Sequence, residues 1–156
     1  MPESFKTRRF RWMFNFFPAY RGSGGRVIYI ANDFCEVRVR LRLFWRTKNY
    51  VGTIFGGSIY ASIDPIFMLM LIHILGLEYT FWDKTAKIRF RKPGKTTLYA
   101  EFHLSIDEIY EIKRLAEIEK SIDRVYDLEL KDKSGVVHAQ IEKTIYISKK
   151  GQNREL

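Results

Sequence analysis

The sequence predicts an α+β domain in which a curled antiparallel sheet wraps one long apolar helix. Three observations predict it. Residues Asn49 to Leu77, NYVGTIFGGSIYASIDPIFMLMLIHILGL, open on a glycine-rich turn and continue as an apolar run. On either side of that run, apolar and polar residues alternate with the period of two that marks half-buried strands. Short turn sequences join two of the later strand pairs, which suits antiparallel neighbours.

Composition sets the bounds. A chain of 156 residues fits one domain and is long enough to bury a core. Its 46% hydrophobic and 15% aromatic content excludes a disordered chain. The single cysteine, Cys35, excludes an internal disulfide and a thiolate metal cluster, and suits a reducing cytoplasm. It alternates with apolar neighbours and reads as a small core residue. The 27 Lys and Arg against 18 Asp and Glu leave a net charge of +9, which favours anionic partners: nucleic acid, acidic lipid or a phosphorylated ligand. The basic N-terminus lacks the apolar core and cleavage site of a signal peptide. Within Ile54 to Leu77, Gly56, Gly57, Asp64, Pro65 and His73 interrupt the apolar residues, and the run from Ile66 to Leu75 is too short to span a membrane. A buried core helix is the expected reading.

Taken in order, Ser4 to Phe17 forms a helix with Ser4 as N-cap, ending at Pro18. Phe10, Met13, Phe14 and Phe17 share one apolar face. Phe5, Trp12 and Phe16 form a second stripe, and Lys6, Arg8, Arg9 and Arg11 fill much of the remainder. The first stripe docks on the domain; the second calls for a partner subunit or a membrane surface. Arg21 to Gly25 reads as a flexible turn. Arg26 to Ile30 is a short strand. Phe34 to Trp45 alternates Cys35, Val37, Val39, Leu41 and Leu43 against Glu36, Arg38, Arg40 and Arg42, whose arginines read as a solvated sheet face. After the helix, Asp83 to Lys92 and Thr96 to Ser105 are strands separated by Pro93-Gly94. Ser105 to Glu108 fits a capping box that starts a helix from Asp107 to about Lys120. Ile122 to Lys131 and Val136 to Ile147 are strands joined by an Asp132–Gly135 hairpin turn. The organisation is therefore an N-terminal basic and aromatic helix with its turn (1–25), the wrapped sheet (26–148) and a polar tail (149–156).

The turn and helix carry a motif. Asn49-x-x-Gly52-x-x-Phe55-Gly56-Gly57, followed by Asp64, resembles the hotdog-fold acyl-CoA thioesterases of the phenylacetyl-CoA type, whose pattern is Asn-x-x-Gly-x-x-His-Gly-Gly with an acid eight residues after the first glycine of the pair. Phe90-Arg91-Lys92-Pro93-Gly94 is similar to the strand-end segment of that fold. Asn49-Tyr50-Val51-Gly52-Thr53, Phe55-Gly56-Gly57-Ser58 and Asp64-Pro65 resemble most a hotdog branch described only as a domain of unknown function. The resemblance implies a hotdog fold and hydrolysis of an acyl thioester, carried by coenzyme A or by acyl carrier protein. It gives Gly56, with Gly57, the amides that polarise the carbonyl, Asp64 the role of base or nucleophile, and Asn49 that of orienting substrate or water. Helix N-termini suit a developing oxyanion. Two departures stand out. Phe55 replaces the motif's histidine, and Pro65 follows the acid directly, which points to a kink.

Eight residues of helix rise about 12 Å. One subunit therefore cannot bring Gly56 and Asp64 to the same carbonyl, and the sequence predicts a two-fold homodimer with shared sites, or a tetramer built from it. Tyr60, Phe67 and Met68 are expected to line the acyl pocket beside Phe55, and Arg91 and Lys92 to clamp coenzyme A phosphates. No cofactor, metal site or nucleic-acid motif is expected. His73 lies opposite Asp64 on the helix, and His103 and His138 fall on polar strand faces, which argues against a hydratase arrangement. The alternative readings are a non-catalytic acyl-CoA or fatty-acid binding protein on the same frame, and peripheral membrane contact through the N-terminal helix.

Overall fold

The structure is a computed structural model and describes residues 2–151. Six antiparallel strands form one sheet around a central helical segment: β1 (Gly25–Ile30), β2 (Glu36–Leu41), β3 (Tyr79–Phe90), β4 (Leu98–His103), β5 (Ile122–Lys131) and β6 (Val137–Lys149). Their spatial order is β1-β2-β4-β5-β6-β3, so β3 leaves its sequence neighbour and closes the far edge against β6. The expected strands are all present. Alternation in β2 sends Val37, Val39 and Leu41 inward to the core. The alternating stretch outlasts the strand at both ends. Phe34 adopts a left-handed backbone (φ 59°) before it, and Phe44 accepts the turn bonds from Thr47 and Lys48 after it.

Five helices complete the fold: α1 (Phe5–Phe16), α2 (Pro18–Ser23), α3 (Gly56–Ile63), α4 (Ile66–Leu75) and α5 (Ile106–Ile118). Ser4 caps α1 in a reciprocal box with Thr7. Asn15 pins α1 to β1 by pairing both amide atoms with the backbone of Val27, at 2.8 and 2.9 Å, so a helix side chain occupies part of the β1 edge. Only half of the expected docking face faces inward. Phe10 and Phe14 pack against the core, while Met13 and Phe17 stay exposed. Phe10 meets the rings of Phe34 and His73, which gives His73 a packing role.

Two expectations need correction. Arg21 to Gly25 is not a flexible turn: Pro18 starts α2, Arg21 to Ser23 finish it, Gly24 caps it at φ 82° and Gly25 opens β1, while the Tyr20 hydroxyl ties the helix to the Ser62 carbonyl. Proline at the first helical position loses no hydrogen bond, which explains how the chain restarts there. The Ser105 box is also half-formed. Ser105 Oγ accepts from the Glu108 amide, but the Glu108 carboxylate turns to Arg124 and Tyr126 on β5 instead of back to the cap.

The long central helix is two helices. Pro65 has no N–H to continue the ladder, so α3 ends with the Asp64 amide bonded to Tyr60 and α4 begins with the Leu69 amide bonded to Pro65. Gly56–Leu75 is long and apolar enough to cross a membrane, yet Ile63, Ile66, Met70 and Leu71 are sealed inside the sheet.

Candidate active site

The turn before α3 is built by Asn49. Its Oδ1 accepts from the amides of Val51 and Thr53, and its Nδ2 donates to Thr53 Oγ1 at 2.9 Å. Gly52 takes φ 85° inside this turn, a conformation that glycine adopts without strain. The Asn and Gly of the motif are therefore turn-forming residues, and both polar atoms of the Asn49 side chain are engaged locally. The structure gives Asn49 the task of shaping the entry to α3. Ile54 is anchored to Gly94 and Phe55 to Thr47 by backbone bonds of 2.8 and 2.7 Å.

The N-terminus of α3 carries amides with no acceptor inside the helix. Two rings lie over it. A Cβ at Gly57 would meet the Phe55 ring at 2.3 Å, and one at Gly56 would meet the Phe90 ring at 3.0 Å. The glycines make room for these aromatics, and both rings remain more than half exposed, at 57% and 56%. Arg91 and Lys92 follow Phe90, with their backbone amides on the His138 carbonyl and their side chains at the surface beside a shallow cleft of about 440 Å³. Of this segment, the Phe90 ring is the part that reaches the α3 N-terminus, at Gly56.

Asp64 sits at the break between α3 and α4. Its carboxylate Oδ1 receives Lys143 Nζ at 2.9 Å, and the same ammonium donates to the Asp64 carbonyl at 2.5 Å. Lys143 also lies 3.0 Å from Asp83 Oδ1. Lys143 is fully buried, at 0% exposure, whereas the Asp64 side chain keeps 39%. A buried ammonium is costly unless paired, and here two carboxylates and a carbonyl surround it. Burial pushes the Asp83 carboxyl up, against the pull of Lys143. Tyr60 completes the group: its ring lies 5.7 Å from Nζ, and burial, then a hydrogen bond to Asp64, raises its phenol.

Lys143 and Asp83 were not among the residues expected from sequence. A signal for Lys143 was present. Ala139, Ile141, Lys143, Ile145 and Ile147 share the inward phase of β6, so a lysine stands where the pattern calls for an apolar residue. Asp83 follows Tyr79 and Phe81 in the inward phase of β3, at a bulge between Asp83 and Thr85 that no pattern announces.

The other predicted positions divide. Met68 is half-buried against the core. Phe67 is no pocket wall but a core residue: it is 2% exposed and sealed between Tyr126 and Phe102, with ring centroids at 4.6 and 5.0 Å. Its ring turned inward because α4 is apolar all round, so spacing alone could not distinguish wall from core. His138 is also buried, not on a solvated strand face. Its ring bonds Pro93 and Asp132 at 3.1 and 3.0 Å and braces the turn after β3. Cys35 is half-exposed, and burial, then the charge of Asp33, pushes its thiol up, which disfavours a thiolate nucleophile. Among the described residues, no group of three or more His, Cys, Asp or Glu side chains is placed to hold a metal ion.

Known proteins share this frame. A protein of unknown function from Pseudomonas aeruginosa, described as a probable thioesterase, superposes with a TM-score of 0.80 at 20% identity, over 96% of this chain and 98% of that one. A thioesterase from Haemophilus influenzae gives a TM-score of 0.69 at 12% identity, covering 98% and 97%. A protein of unknown function from Chlorobaculum tepidum gives 0.74 at 13% identity, covering 91% and 93%. Identities this low establish the fold, which is the hotdog fold. No curated protein matches the sequence. The model of the family described as Domain of unknown function (DUF4442) matches residues 6–147. The chain belongs to that hotdog-fold family of unknown function.

Proposed function

We propose that this chain hydrolyses an acyl thioester, with Asp64 as the base. One observation carries the reading. Asp64 is held at a helix break by a buried lysine and still presents much of its carboxylate to solvent. A carboxylate held by Lys143 and Tyr60 and still 39% exposed is oriented yet within reach of water, which suits proton abstraction. Asp64 takes a proton from water as the oxygen adds to the thioester carbonyl. The oxyanion forms against the Gly56 and Gly57 amides. Collapse breaks the carbon–sulfur bond, and the thiolate leaves with the proton. The products are a carboxylic acid and a free thiol, and the reaction needs no cofactor beyond the thioester itself.

The helix separates Gly56 from Asp64 by about 12 Å, so the oxyanion amides come from a second copy. β3 lies at one edge of the sheet, with Trp82 and Phe90 exposed along it. An edge this long invites pairing with another strand. We infer a homodimer formed there, with Phe55 and Tyr60 at the acyl end of each site, Arg91 and Lys92 on the phosphates of coenzyme A, and a cytoplasmic setting that suits the single free cysteine. Acyl carrier protein is the other carrier to be tried.

The Phe55 and Phe90 rings over the α3 amides favour a second reading: a protein that binds acyl-CoA without cleaving it. Free-thiol release from short, long and aromatic acyl-CoAs separates the two. Turnover that drops about 10²- to 10⁴-fold in Asp64→Asn, with the fold retained, establishes the hydrolase. Acyl-CoA that raises the melting temperature without releasing thiol establishes the binding protein. Sedimentation as a monomer at assay concentration removes the shared site.

A further inference from the structure

α1 presents an aromatic line that the described residues leave largely exposed. Phe5, Trp12 and Phe16 are 74%, 60% and 50% exposed, and their spacing places them one above another along the helix. Arg8 and Arg9 flank the line, and Arg21 of α2 lies over the Phe16 ring at 5.8 Å. α1 itself carries no acid; Glu3, just before it, pairs with Arg11 at 2.7 Å. The helix is not free to roll this line inward, because Asn15 is bonded to β1 and Thr7 is fully buried.

Beside that line, between α1 and the outer face of β1 and β2, is a cleft of about 470 Å³. Trp12 and Phe16 form one wall, and Arg26 and Arg40 of the sheet, with Arg42 just past the end of β2, form the other. Arg26 and Arg40 are direct cross-strand partners, an arrangement that like charges disfavour. The buried Nε of Arg40 has no hydrogen-bond partner among the described residues. No acidic side chain lines the cleft among the described residues. Arg38 behaves differently in the same strand: it pairs with Glu36 at 2.6 Å and so belongs to an ordinary solvated face.

We propose that the aromatic line of α1 and the arginine cleft together dock this protein on an anionic membrane, with a lipid phosphate seated among Arg26, Arg40 and Arg42. Exposed Trp and Phe edged by Arg and Lys are the side chains that settle at a headgroup layer. Guanidinium groups match phosphate oxygens in pairs. A second copy is a poor occupant, because a two-fold contact through this face sets Arg8, Arg9 and Arg21 against their own counterparts. The proposal does not depend on thioester hydrolysis.

The test is co-sedimentation of the full chain with vesicles of phosphatidylcholine alone and of equimolar phosphatidylcholine and phosphatidylglycerol. Binding to the anionic vesicles only, weakened by salt, is expected. The variant R26Q/R40Q/R42Q should bind about 100-fold more weakly. W12A/F16A should also lose binding. K113Q/K120Q/K133Q, which removes the same charge from exposed positions elsewhere, should keep it. Equal loss in that control reduces the effect to net charge and overturns the proposal. Binding of glycerol 3-phosphate as tight as that of vesicles, unchanged in W12A/F16A, overturns it in favour of a soluble phosphate ligand. Self-association that W12A/F16A abolishes overturns it in favour of a second copy.

Discussion

Two charged clusters brace the same sheet and are finished differently. On β5, Arg124 makes a two-pronged ion pair with Glu108 of α5, and Tyr126 donates to the same carboxylate at 2.9 Å. That group joins α5 to β5, and the Glu108 carboxylate is engaged by both partners. On β6, Lys143 gathers Asp64 and Asp83 from a helix break and a neighbouring strand. There the cation is sealed and one acid is left partly open. The difference is one of access: the Glu108 side chain keeps 19% exposure and that of Asp64 keeps 39%. This contrast is the physical ground for reading Asp64 as functional.

The sharpest way to break the contrast is Lys143→Ala. Losing a fully buried cation between two carboxylates should cost about 3–5 kcal/mol of stability in urea unfolding. Combining it with Asp64→Asn and Asp83→Asn should restore part of that loss, because the uncompensated charges go with it. Asp64→Asn alone should cost far less, since Lys143 keeps both Asp83 and the carbonyl of residue 64. If Lys143→Ala is as mild as a surface change, the cluster is not the anchor of the site. Arg124→Gln should cost about 1.5–3 kcal/mol for its charge-assisted bonds and leave turnover or ligand binding unchanged. A matching loss of activity would mean that the closed cluster also serves the site.

The difference between the clusters also shows what the sequence could disclose. The Asn49–Gly57 turn, the acid at Asp64 and the break implied by Pro65 were legible because each is local: a turn residue, a glycine pair, a proline. The strands were legible because alternation is local too. Lys143 left a trace, a lysine in the inward phase of β6, but its meaning lay in Asp64, 79 positions earlier in the chain. Asp83 joins them through a bulge, and bulges are set by pairing across strands. Phe67 failed for the opposite reason: on a helix apolar all round, core and pocket have the same spacing. The turn-building work of Asn49 is local as well, because its hydrogen bonds reach only four residues along.

A third cluster tests whether closed groups can be recognised by titration. In the β5–β6 hairpin, bonds from the Ser134 hydroxyl and His138, then from the Val136 and Ser134 amides, hold the Asp132 carboxyl far below its ordinary value of 3.8. The unfolded chain therefore takes up a proton at a pH where the folded one does not, and stability falls as pH drops through the carboxylate range. The stability that wild type holds over Asp132→Asn should be present above pH 3.8 and shrink below it. A difference that ignores pH would show that geometry, not charge, is what Asp132 supplies.

The smallest expected effect lies on the open side of the site. Phe55→His returns the motif's imidazole, and because the Phe55 ring is 57% exposed, stability should change by about 0.5 kcal/mol or less. The informative measurement is thiol release at several pH values. The phenyl ring lies against Gly57 at the start of α3, whereas an imidazole in its place is smaller and can donate a hydrogen bond. Faster turnover in the variant would mean that the wild-type ring limits access to the α3 amides. Unchanged turnover would mean that the ring swings aside when substrate binds, and that the amides of α3 act without help from residue 55. Slower turnover would give Phe55 a place in holding the acyl chain, which is the contact that an aromatic ring makes and an imidazole does not.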